Sequence, residues 1–364
     1  MTRTPDVLIL GGGVIGLTTA YFLAKEGATV TVLDRDDLGR GASWAGAGIL
    51  PPGDPDHART PLERLRAHSV RMYPDLSKEL HERTGIDNGY RVCGGLELID
   101  SAADAESDEW RCEGSVFRKI DTEEMRRLEP ELAPYWTWGY YLPDMAQVRN
   151  PRHLQALIAG CESLGVKLLP ECAARSMIRV GQRVTAFETD RGRFEARRFL
   201  IAAGAWSDEL LGLFGWRPGV RPVRGQIVLL NTGIEGQRPL LLCGKRYLVP
   251  RGDGRVLIGS TEEEVGFDTR TTAAAVGELI AFATAMVPAL GRATVERCWA
   301  GLRPGSADGL PYLGPVPEFE NVFVGAGHFR AGLQLSPVSG MVLAALLLDR
   351  KPMVPLEAFR LDRD

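Results

Sequence analysis

The N-terminal stretch runs from a short apolar segment through a helical pattern to a second apolar segment. Val7–Leu10 is a continuous apolar run, which is typical of a strand buried on both faces. Apolar and small residues recur with helical spacing over 14–26, and Gly27 is a suitable helix stop. A second apolar run over 28–33 ends at Asp34. Two strands joined by such a helix pair in parallel through a right-handed crossover, so the pattern predicts a βαβ unit.

Helical and strand-like patterns continue along the chain. Apolar spacing predicts helices over 61–84, over 273–286 and from about Ser336 to Leu348. A further helix is predicted from Asn150 to about Leu164, with Asn150 as its N-cap and Pro151 as its first helical residue. Strand-like patterns lie at 90–100, 137–142, 166–169, 184–189, 199–204, 221–230, 246–261 and 321–324.

The βαβ-like pieces fall at the start, middle and end of the chain, with strand-rich stretches between them. The sequence therefore predicts an α/β protein, α+β overall, in which a Rossmann-like nucleotide-binding domain is discontinuous. An inserted substrate domain rests on a mostly antiparallel sheet. We expect the nucleotide-binding domain at 1–85, 145–220 and 300–364, and the substrate domain at 86–144 and 221–299.

Composition and charge exclude several classes of function. A net charge of −4 gives no bulk attraction to nucleic acid. The five histidines are scattered along the chain, so we expect no metal site built from several histidines. No two cysteines are closer than eleven residues, which excludes a CxxC motif. Unpaired thiols and an N-terminal apolar run cut short by glycines predict a cytoplasmic protein without a signal peptide. The apolar stretch 341–348 is too short to span a membrane. The cysteines are Cys93, Cys112, Cys161, Cys172, Cys243 and Cys298.

Glycine is in excess, and its first cluster fits a dinucleotide-binding motif. The chain has 42 glycines in 364 residues, against a usual fraction of ~7%. Residues 11–16 fit G-x-G-x-x-G between a predicted strand and a helix, with Asp34 ending the next strand. In this context Gly11 permits the tight turn, Gly13 lets a pyrophosphate approach the backbone, and Gly16 lets helix and strand pack closely. The helix N-terminus would face the phosphates and Asp34 the adenosine ribose.

This motif alone does not distinguish an FAD site from an NAD site. Arg35 would suit the 2′-phosphate of NADP, but the neighbouring Asp34 would repel that phosphate. A second strand–glycine–helix junction lies at 325–332. A second helix N-terminus suits an isoalloxazine ring, which gains negative charge at N1 and C2=O on reduction, whereas nicotinamide does not need one. The second junction therefore favours FAD over an NADP-dependent reductase.

The sequence resembles the FAD-dependent amine and amino-acid oxidases of the D-amino-acid oxidase superfamily, and within it the glycine oxidases of thiamine biosynthesis. The matching stretches run from one end of the chain to the other, and WAGLRP…DGLPYLG and GHFR-x-G are the most specific. The full set of matching stretches is GGGVIGLTTAYFLAKEGATVTVLDRD, GASWAGAGIL, IAAGAWSDEL, RPVRGQIV, RYLVPRGDGRVLIGSTEEEVGFD, CWAGLRPGSADGLPYLGP and GHFRAGLQLSP.

The resemblance implies roles for individual residues. Arg303 would grip the substrate carboxylate, in keeping with the two charge-assisted hydrogen bonds that a guanidinium fork can make. The Tyr247 hydroxyl would help to hold that carboxylate, and Arg330 would lie over the flavin near the substrate. Together with the glycine motif, the resemblance implies cofactor contacts from Gly11, Gly13, Val14, Ile15, Gly16, Asp34, Arg35, Ser43, Ala45, Gly46, Ala47, Gly48, Ala173, Ala203, Gly204, Gly327, His328, Phe329, Arg330, Gly332 and Leu333.

Three features have two readings each. Glu262, a candidate catalytic residue, either faces the pocket to pair with an amine or fill space, or belongs with Glu263 and Glu264 to a solvated acidic turn. Cys298 is either a buried thiol or a covalent flavin anchor as in some sarcosine oxidases, and the poor local match favours non-covalent FAD. An aromatic cluster is either pocket wall or packing in the core or between copies of the chain; it comprises Tyr135, Trp136, Trp138, Tyr140 and Tyr141.

The resemblance implies FAD-dependent oxidative deamination of glycine or another small primary or secondary amino acid. Hydride transfer to flavin N5 would give an imine and then an oxo-acid, ammonia and hydrogen peroxide, supplying thiamine biosynthesis. The implied partners are an amino acid, molecular oxygen and further copies of the chain, often in a tetramer, with no nucleic acid or membrane. Alternatives are a D-amino-acid or sarcosine oxidase, a dehydrogenase of the same superfamily, or a flavin-binding protein without amine chemistry. The intact set of Arg303, Tyr247 and Arg330 argues against the last.

Overall fold

The computed structural model describes residues 4–99 and 114–363. Cys112 and residues 100–113 of the predicted substrate domain lie outside the described residues. The described helices are α1 (Val14–Lys25), α2 (Ala42–Ala45), α3 (Pro61–Thr84), α4 (Thr122–Leu128), α5 (Asn150–Ser163), α6 (Ser207–Gly212), α7 (Ala273–Met286) and α8 (Gly332–Leu347).

A six-stranded sheet carries the predicted βαβ unit. Its order is β19-β20-β13-β1-β2-β9, and every neighbouring pair is parallel except β19–β20. Leu8 and Ile9 of β1 are both fully buried, but they belong to two different hydrophobic clusters. Burial on both faces therefore explains the continuous apolar run. The strands are β1 (Val7–Leu10), β2 (Val30–Leu33), β9 (Lys167–Leu169), β13 (Arg198–Ile201), β19 (Tyr312–Pro315) and β20 (Val322–Ala326).

An eight-stranded sheet is antiparallel except at the β15–β5 pair. Its order is β18-β14-β17-β16-β15-β5-β7-β6. Leu279 of α7 packs in one hydrophobic cluster with Leu96 and Ile258 of this sheet. Its strands are β5 (Gly95–Leu98), β6 (Arg118–Asp121), β7 (Trp138–Leu142), β14 (Arg221–Asn231), β15 (Leu240–Cys243), β16 (Arg246–Pro250), β17 (Arg255–Gly259) and β18 (Thr294–Gly305).

Two three-stranded sheets complete the described strands. One has the order β3-β8-β4 and the other β10-β11-β12. Together with the two large sheets they confirm the predicted α/β fold class, whereas the division of the chain into two domains stays a prediction. The strands are β3 (Ile49–Leu50), β4 (Arg91–Val92), β8 (Ala146–Gln147), β10 (Ala174–Val180), β11 (Arg183–Thr189) and β12 (Gly192–Glu195).

Two predicted helix starts are wrong. Helix α5 begins at Asn150 with Arg149 as its N-cap, because the Asn150 amide donates to the Ser43 carbonyl instead of capping its own helix. Helix α8 begins at Gly332 rather than at Ser336. The predicted helix over 61–84 is confirmed, and a capping box of Thr60 and Glu63 stabilises its N-terminus.

Helix α8 packs in the core of the protein. Among the described residues, Phe329–Leu347 has the length and apolarity of a membrane-spanning helix, and 61% of that window is buried inside the protein. Val338, Val342 and Leu343 are fully buried. A Cβ at Gly340 would lie 2.7 Å from Thr18 Cγ2 of α1, so glycine permits the two helices to approach closely. The apolar character of α8 therefore follows from its contacts with the core.

The main chain makes very close approaches at the carboxyl end of β1. Gly11 has φ +120, and a Cβ there would lie 2.2 Å from the Ala202 carbonyl oxygen of the neighbouring segment. A Cβ at Gly16 would lie 1.9 Å from the Gly11 carbonyl oxygen. These distances are too short for any side chain, so both glycines are needed for α1 to leave β1 as it does.

Gly16→Ala should therefore lower the free energy of unfolding by more than about 2 kcal/mol, because the added methyl group must move α1 away from β1. Gly277→Ala is the matched control, since Gly277 is exposed in α7 and a Cβ there meets nothing within 4 Å. It should raise stability by about 0.5–1 kcal/mol through helix propensity. Urea unfolding measures both changes. A Gly16→Ala variant as stable as the parent would contradict the packing role of Gly16.

Candidate active site

A long cavity lies at the carboxyl ends of β1, β2, β13 and β20 and extends to the face of the antiparallel sheet. Its volume is about 780 Å³, within the range of about 300–1,000 Å³ usual for ligand and cofactor sites. The carboxyl end of a mostly parallel sheet is where such folds bind dinucleotides. The cavity is therefore the candidate active site.

Most of the predicted site residues meet in this cavity. Three of the four predicted catalytic residues line it, namely Tyr247, Arg303 and Arg330. So do the predicted cofactor residues Gly11, Gly13, Val14, Ile15, Asp34, Arg35, Ser43, Gly46, Ala47, Gly48, Ala173, Ala203, Gly204, His328, Phe329, Arg330, Gly332 and Leu333.

Four predicted site residues do not line the cavity. Gly16 lies under Gly11, where it permits helix packing. The Ala45 carbonyl accepts a hydrogen bond from Trp299 Nε1 at 3.0 Å, and its methyl group lies against Gly301. Gly327 provides the turn after β20 with φ +72. Glu262 pairs with Arg330 beside the cavity. These four residues lie outside the cavity lining and are engaged in packing or pairing, and their predicted cofactor and catalytic roles stay predictions.

The glycine turn after β1 presents main-chain atoms to the cavity. Gly13 is the N-cap of α1 and has no side chain to offer, so the Val14 N–H donates instead to Ser43 Oγ at 2.9 Å. The Asp34 carboxylate accepts hydrogen bonds from the N–H groups of Gly12 at 2.7 Å and Asp36 at 2.9 Å. Burial raises the pKa of Asp34, and these two hydrogen bonds oppose that shift. The carboxylate is thereby held at the end of β2, facing the cavity.

Helix α2 and the loop that follows it are held in place by two buried side chains, Asn150 and Arg251. Asn150 Nδ2 donates to the Ser43 carbonyl at 2.7 Å. Arg251 is almost fully buried and donates to the Ala47 carbonyl at 2.7 Å. A Cβ at Gly48 would lie 1.9 Å from the Val148 carbonyl oxygen. The loop wall of the cavity is therefore fixed by contacts that tolerate no larger residue at Gly48.

A second helix N-terminus opens on the same cavity. Helix α8 has Ala331 as its N-cap and no side-chain capping bond, and Gly332 and Leu333 line the cavity. His328 is buried before it, with Nε2 3.0 Å from Ser339 Oγ. Two helix N-termini on one cavity offer partial positive charge at two separate places. That arrangement fits FAD, whose pyrophosphate and reduced flavin both carry negative charge.

The side chains of Arg303 and Tyr247 lie on the antiparallel sheet, each over a glycine of the neighbouring strand. Arg303 is on β18, and a Cβ at Gly225 of the neighbouring β14 would lie 2.3 Å from its guanidinium nitrogens. Tyr247 is on β16, and a Cβ at Gly259 of the neighbouring β17 would lie 2.5 Å from its ring. Because β18, β14, β17 and β16 are consecutive in the sheet, the two glycines leave room for both side chains over its face.

The Arg303 guanidinium is held by neutral groups. It donates to the Thr261 carbonyl at 3.1 Å and to Ser260 Oγ at 2.7 Å. Within the part of the chain that the structure describes, no acidic side chain forms an ion pair with it. A cation oriented by neutral acceptors keeps its charge available for an anion in the cavity.

Arg330 has a different environment. Its guanidinium pairs with Glu262, whose other carboxylate oxygen lies 3.9 Å from Lys245 Nζ. Burial lowers the pKa of Arg330. Glu262 is thus paired with two cations beside the cavity, and its role as a catalytic residue stays a prediction.

The prediction that Glu263 belongs to a solvated acidic turn is wrong. Its carboxylate accepts from the buried Arg224 at 2.5 Å and from Gln226 Nε2 at 2.8 Å. These contacts anchor the segment after β17 to β14. Glu264, by contrast, is exposed and pairs with the exposed Arg221, as a solvated acid does.

Cys298 and the aromatic cluster lie away from the cavity. Cys298 packs on the hydrophobic cluster between α7 and the antiparallel sheet, where burial raises its pKa. Trp136 is buried in that same cluster, and Tyr140 makes an edge contact with Trp138 at 5.7 Å between ring centroids. No member of the aromatic cluster lines the cavity. Packing, rather than a pocket wall, is therefore the role of this cluster in the single chain.

Five residues that shape this site are not among those predicted from the sequence. Ser260 and Thr261 hold Arg303, and the only sequence signal was their position at the end of a strand within a matching stretch. Asn150 was identified as a helix start only. Trp206 and Phe267 line the cavity with their rings 5.1 Å apart, and no periodicity could reveal a contact between segments so distant in sequence. Among residues 4–99 and 114–363, no cluster of His, Cys, Asp or Glu suits a metal ion.

Comparison with known proteins agrees with this geometry. A family model described as FAD dependent oxidoreductase (DAO) matches residues 6–346. The chain is 37% identical to a glycine oxidase of Pseudomonas putida over 96% of either protein. It is 34% identical to a bifunctional protein ThiO/ThiG of Synechocystis over 99% of the chain and 54% of that longer protein. The crystal structure of glycine oxidase from Geobacillus kaustophilus superposes with a TM-score of 0.94 at 33% identity, covering both chains completely.

The buried His328 should make stability depend on pH. Burial lowers its pKa to about 3, whereas an unfolded histidine has a pKa of about 6.5. Below pH 6.5 the unfolded chain takes up a proton that the folded chain does not, so stability falls as the pH drops from about 6.5 towards 3.

His328→Gln should therefore reduce the stability lost between pH 7.5 and pH 5 by about 2 kcal/mol. Urea unfolding at the two pH values measures that loss. His81→Gln is the control, because His81 is exposed near the end of α3, and it should leave the loss unchanged. An equal loss in the parent and in His328→Gln would show that His328 is not buried as a neutral ring.

Proposed function

The chain belongs to the family of FAD-dependent oxidoreductases, and on that premise we propose that it catalyses the oxidative deamination of glycine or another small amino acid. The proposal rests chiefly on Arg303. Its guanidinium lines the cavity and is held by Ser260 and Thr261, which are neutral partners. An arginine in this state suits one substrate carboxylate, bound through two charge-assisted hydrogen bonds.

The cofactor is FAD, held without a covalent bond. The turn from Gly11 to Gly13 and the start of α1 would hold the pyrophosphate, Asp34 the ribose, and the start of α8 the flavin. When bound, FAD supplies the hydride acceptor for the substrate carbon and returns the electrons to molecular oxygen as hydrogen peroxide.

The protein's own part in the reaction is to bind and orient the substrate. Arg303 and Tyr247 share one face of the antiparallel sheet, and a carboxylate bound between them leaves the α-carbon with restricted rotation. The Glu262 carboxylate is paired with Arg330 and Lys245, and this pairing keeps it from holding the substrate amine protonated. A neutral amine has the lone pair that oxidation at the α-carbon requires. No side chain is assigned as a general base.

The products and setting of the reaction are part of the proposal. Hydrolysis of the imine would release an oxo-acid and ammonia, and the glycine-derived imine would supply thiamine biosynthesis. The likeness to a protein named ThiO/ThiG supports that setting. We also propose that the enzyme is cytoplasmic and works as a homo-oligomer, for which the resemblance to glycine oxidases is the support.

An oxygen-electrode assay with peroxide detection tests the reaction. Glycine, sarcosine and D-alanine are supplied in turn to the FAD-loaded enzyme, and we expect equimolar oxygen consumption and peroxide formation with glycine. Turnover only with D-alanine would favour a D-amino-acid oxidase, and turnover only with sarcosine a sarcosine oxidase. Turnover only with an artificial electron acceptor would identify a dehydrogenase. No turnover under any of these conditions would contradict the proposal.

Arg303→Ala should lower kcat/KM for glycine by at least about 100-fold, mostly through KM, because charged hydrogen bonds to the carboxylate are lost. The variant should keep its yellow FAD spectrum. Arg297→Ala is the control, since Arg297 is exposed on the same strand and does not line the cavity, and it should keep kcat/KM within about twofold. An unchanged KM in Arg303→Ala would remove Arg303 from the carboxylate site.

A further inference from the structure

Three side chains from distant segments stack along one wall of the cavity. The Arg35 guanidinium lies 3.7 Å from the centroid of the Trp206 ring. The Trp206 and Phe267 rings are stacked, with centroids 5.1 Å apart and an interplanar angle of 24°. All three line the cavity. Both distances lie within the ranges for cation–π and aromatic pairs, and we refer to Arg35, Trp206 and Phe267 together as the clasp.

The clasp joins chain segments on the two sides of β1. Arg35 lies just after the end of β2, and Trp206 follows β13. In the sheet, β2 and β13 are the two neighbours of β1. The glycine turn after β1, which lines the same cavity, therefore lies between the segments that carry Arg35 and Trp206. A dinucleotide bound along this turn would have the clasp beside its adenosine half, next to Asp34.

Phe267 brings in the antiparallel sheet. It lies in the connection 260–272 between β17 and α7. Within that connection, Ser260 and Thr261 hold Arg303. The far end is fastened to β14, where the Thr272 N–H donates to Gln226 Oε1 at 2.7 Å and Asp268 lies 3.1 Å from Arg224. The connection is thus anchored at both ends, and Phe267 lies between the anchors.

The exposure of Phe267 is informative. It is 46% exposed, although it is a large apolar residue. Its ring packs on Trp206 rather than on the core of its own sheet. A core-packing role would not place the ring there, whereas a contact that covers the cavity would.

We propose that the clasp retains FAD by covering the adenosine half of the cofactor. Phe267 is the residue that connects the antiparallel sheet to the clasp. The stack must separate for FAD to leave, so weakening it should speed release more than it slows binding. The clasp also links the cofactor to the segment that holds Arg303. This inference depends on FAD binding and not on which amino acid is oxidised, so it can fail or hold independently of the proposed substrate.

Phe267→Ala tests the proposal, with Val265→Ala as the matched control. Val265 is on the same connection and is 40% exposed, but it does not line the cavity. Each apoprotein is titrated with FAD by flavin fluorescence, and the release rate from each holoprotein is followed after dilution. Phe267→Ala should raise the Kd for FAD about tenfold, equivalent to about 1.4 kcal/mol, chiefly through faster release. Val265→Ala should stay within about twofold of the parent.

Two further variants guard against a folding defect. Phe267→Trp keeps a stacking ring and should retain FAD nearly as well as the parent, while Phe267→Leu keeps apolar bulk without a ring and should release FAD faster. The apoproteins should share one Tm, so that a loss of cofactor is not a loss of fold. The proposal is overturned if Phe267→Ala and Phe267→Leu release FAD at the parent rate. It is also overturned if Val265→Ala weakens FAD binding as much as Phe267→Ala does.

Discussion

The cavity depends on a close approach of main chain to main chain at the carboxyl end of β1. Gly16 allows α1 to pass within contact of the Gly11 carbonyl, and Gly11 in turn lies against the Ala202 carbonyl after β13. With these contacts the start of α1 faces the cavity instead of being displaced by a side chain. Parallel strands on both sides then bring Asp34 and Trp206 to the same end of the sheet, and the cavity follows from that geometry.

The second organising feature is the difference in partners among Arg224, Arg303 and Arg330, of which the last two line the cavity. Arg224 is buried and paired with Glu263 and Asp268, so its charge is used to anchor the connection after β17. Arg330 is paired with Glu262. Arg303 alone among these three is oriented by neutral acceptors. A buried or half-buried cation is costly without a counter-charge, so an arginine held in this way is suited to an anion that arrives from outside, as a substrate carboxylate does.

Much of the fold could be predicted from the sequence because its strongest signals are local. The apolar run of β1, the helical spacing of α3 and α7 and the strand–glycine–helix junctions each arise from residues close together in the chain. The cavity residues that lie within those junctions were therefore predicted. The predicted start of helix α5 is wrong because the Asn150 side chain bonds to Ser43 of α2, more than a hundred residues away. No local pattern contains that contact.

The same limit explains the rest of the candidate site. Gly225 and Gly259 make room for side chains on neighbouring strands, and only the sheet register shows which ones. Glu262 and Glu263 are adjacent acids with different partners, Arg330 and Arg224, and the sequence offers no means of telling them apart. Trp206 and Phe267 meet only because a connection from the antiparallel sheet reaches over the parallel one.

The visible spectrum of the FAD-loaded protein under anaerobic conditions tests directly whether one cavity brings a small amino acid, fixed by Arg303, to the flavin. On addition of glycine we expect loss of the oxidised flavin absorption, and its return when oxygen is admitted. A yellow protein whose spectrum is unchanged by glycine, sarcosine and D-alanine would show that no such amino acid reaches the flavin.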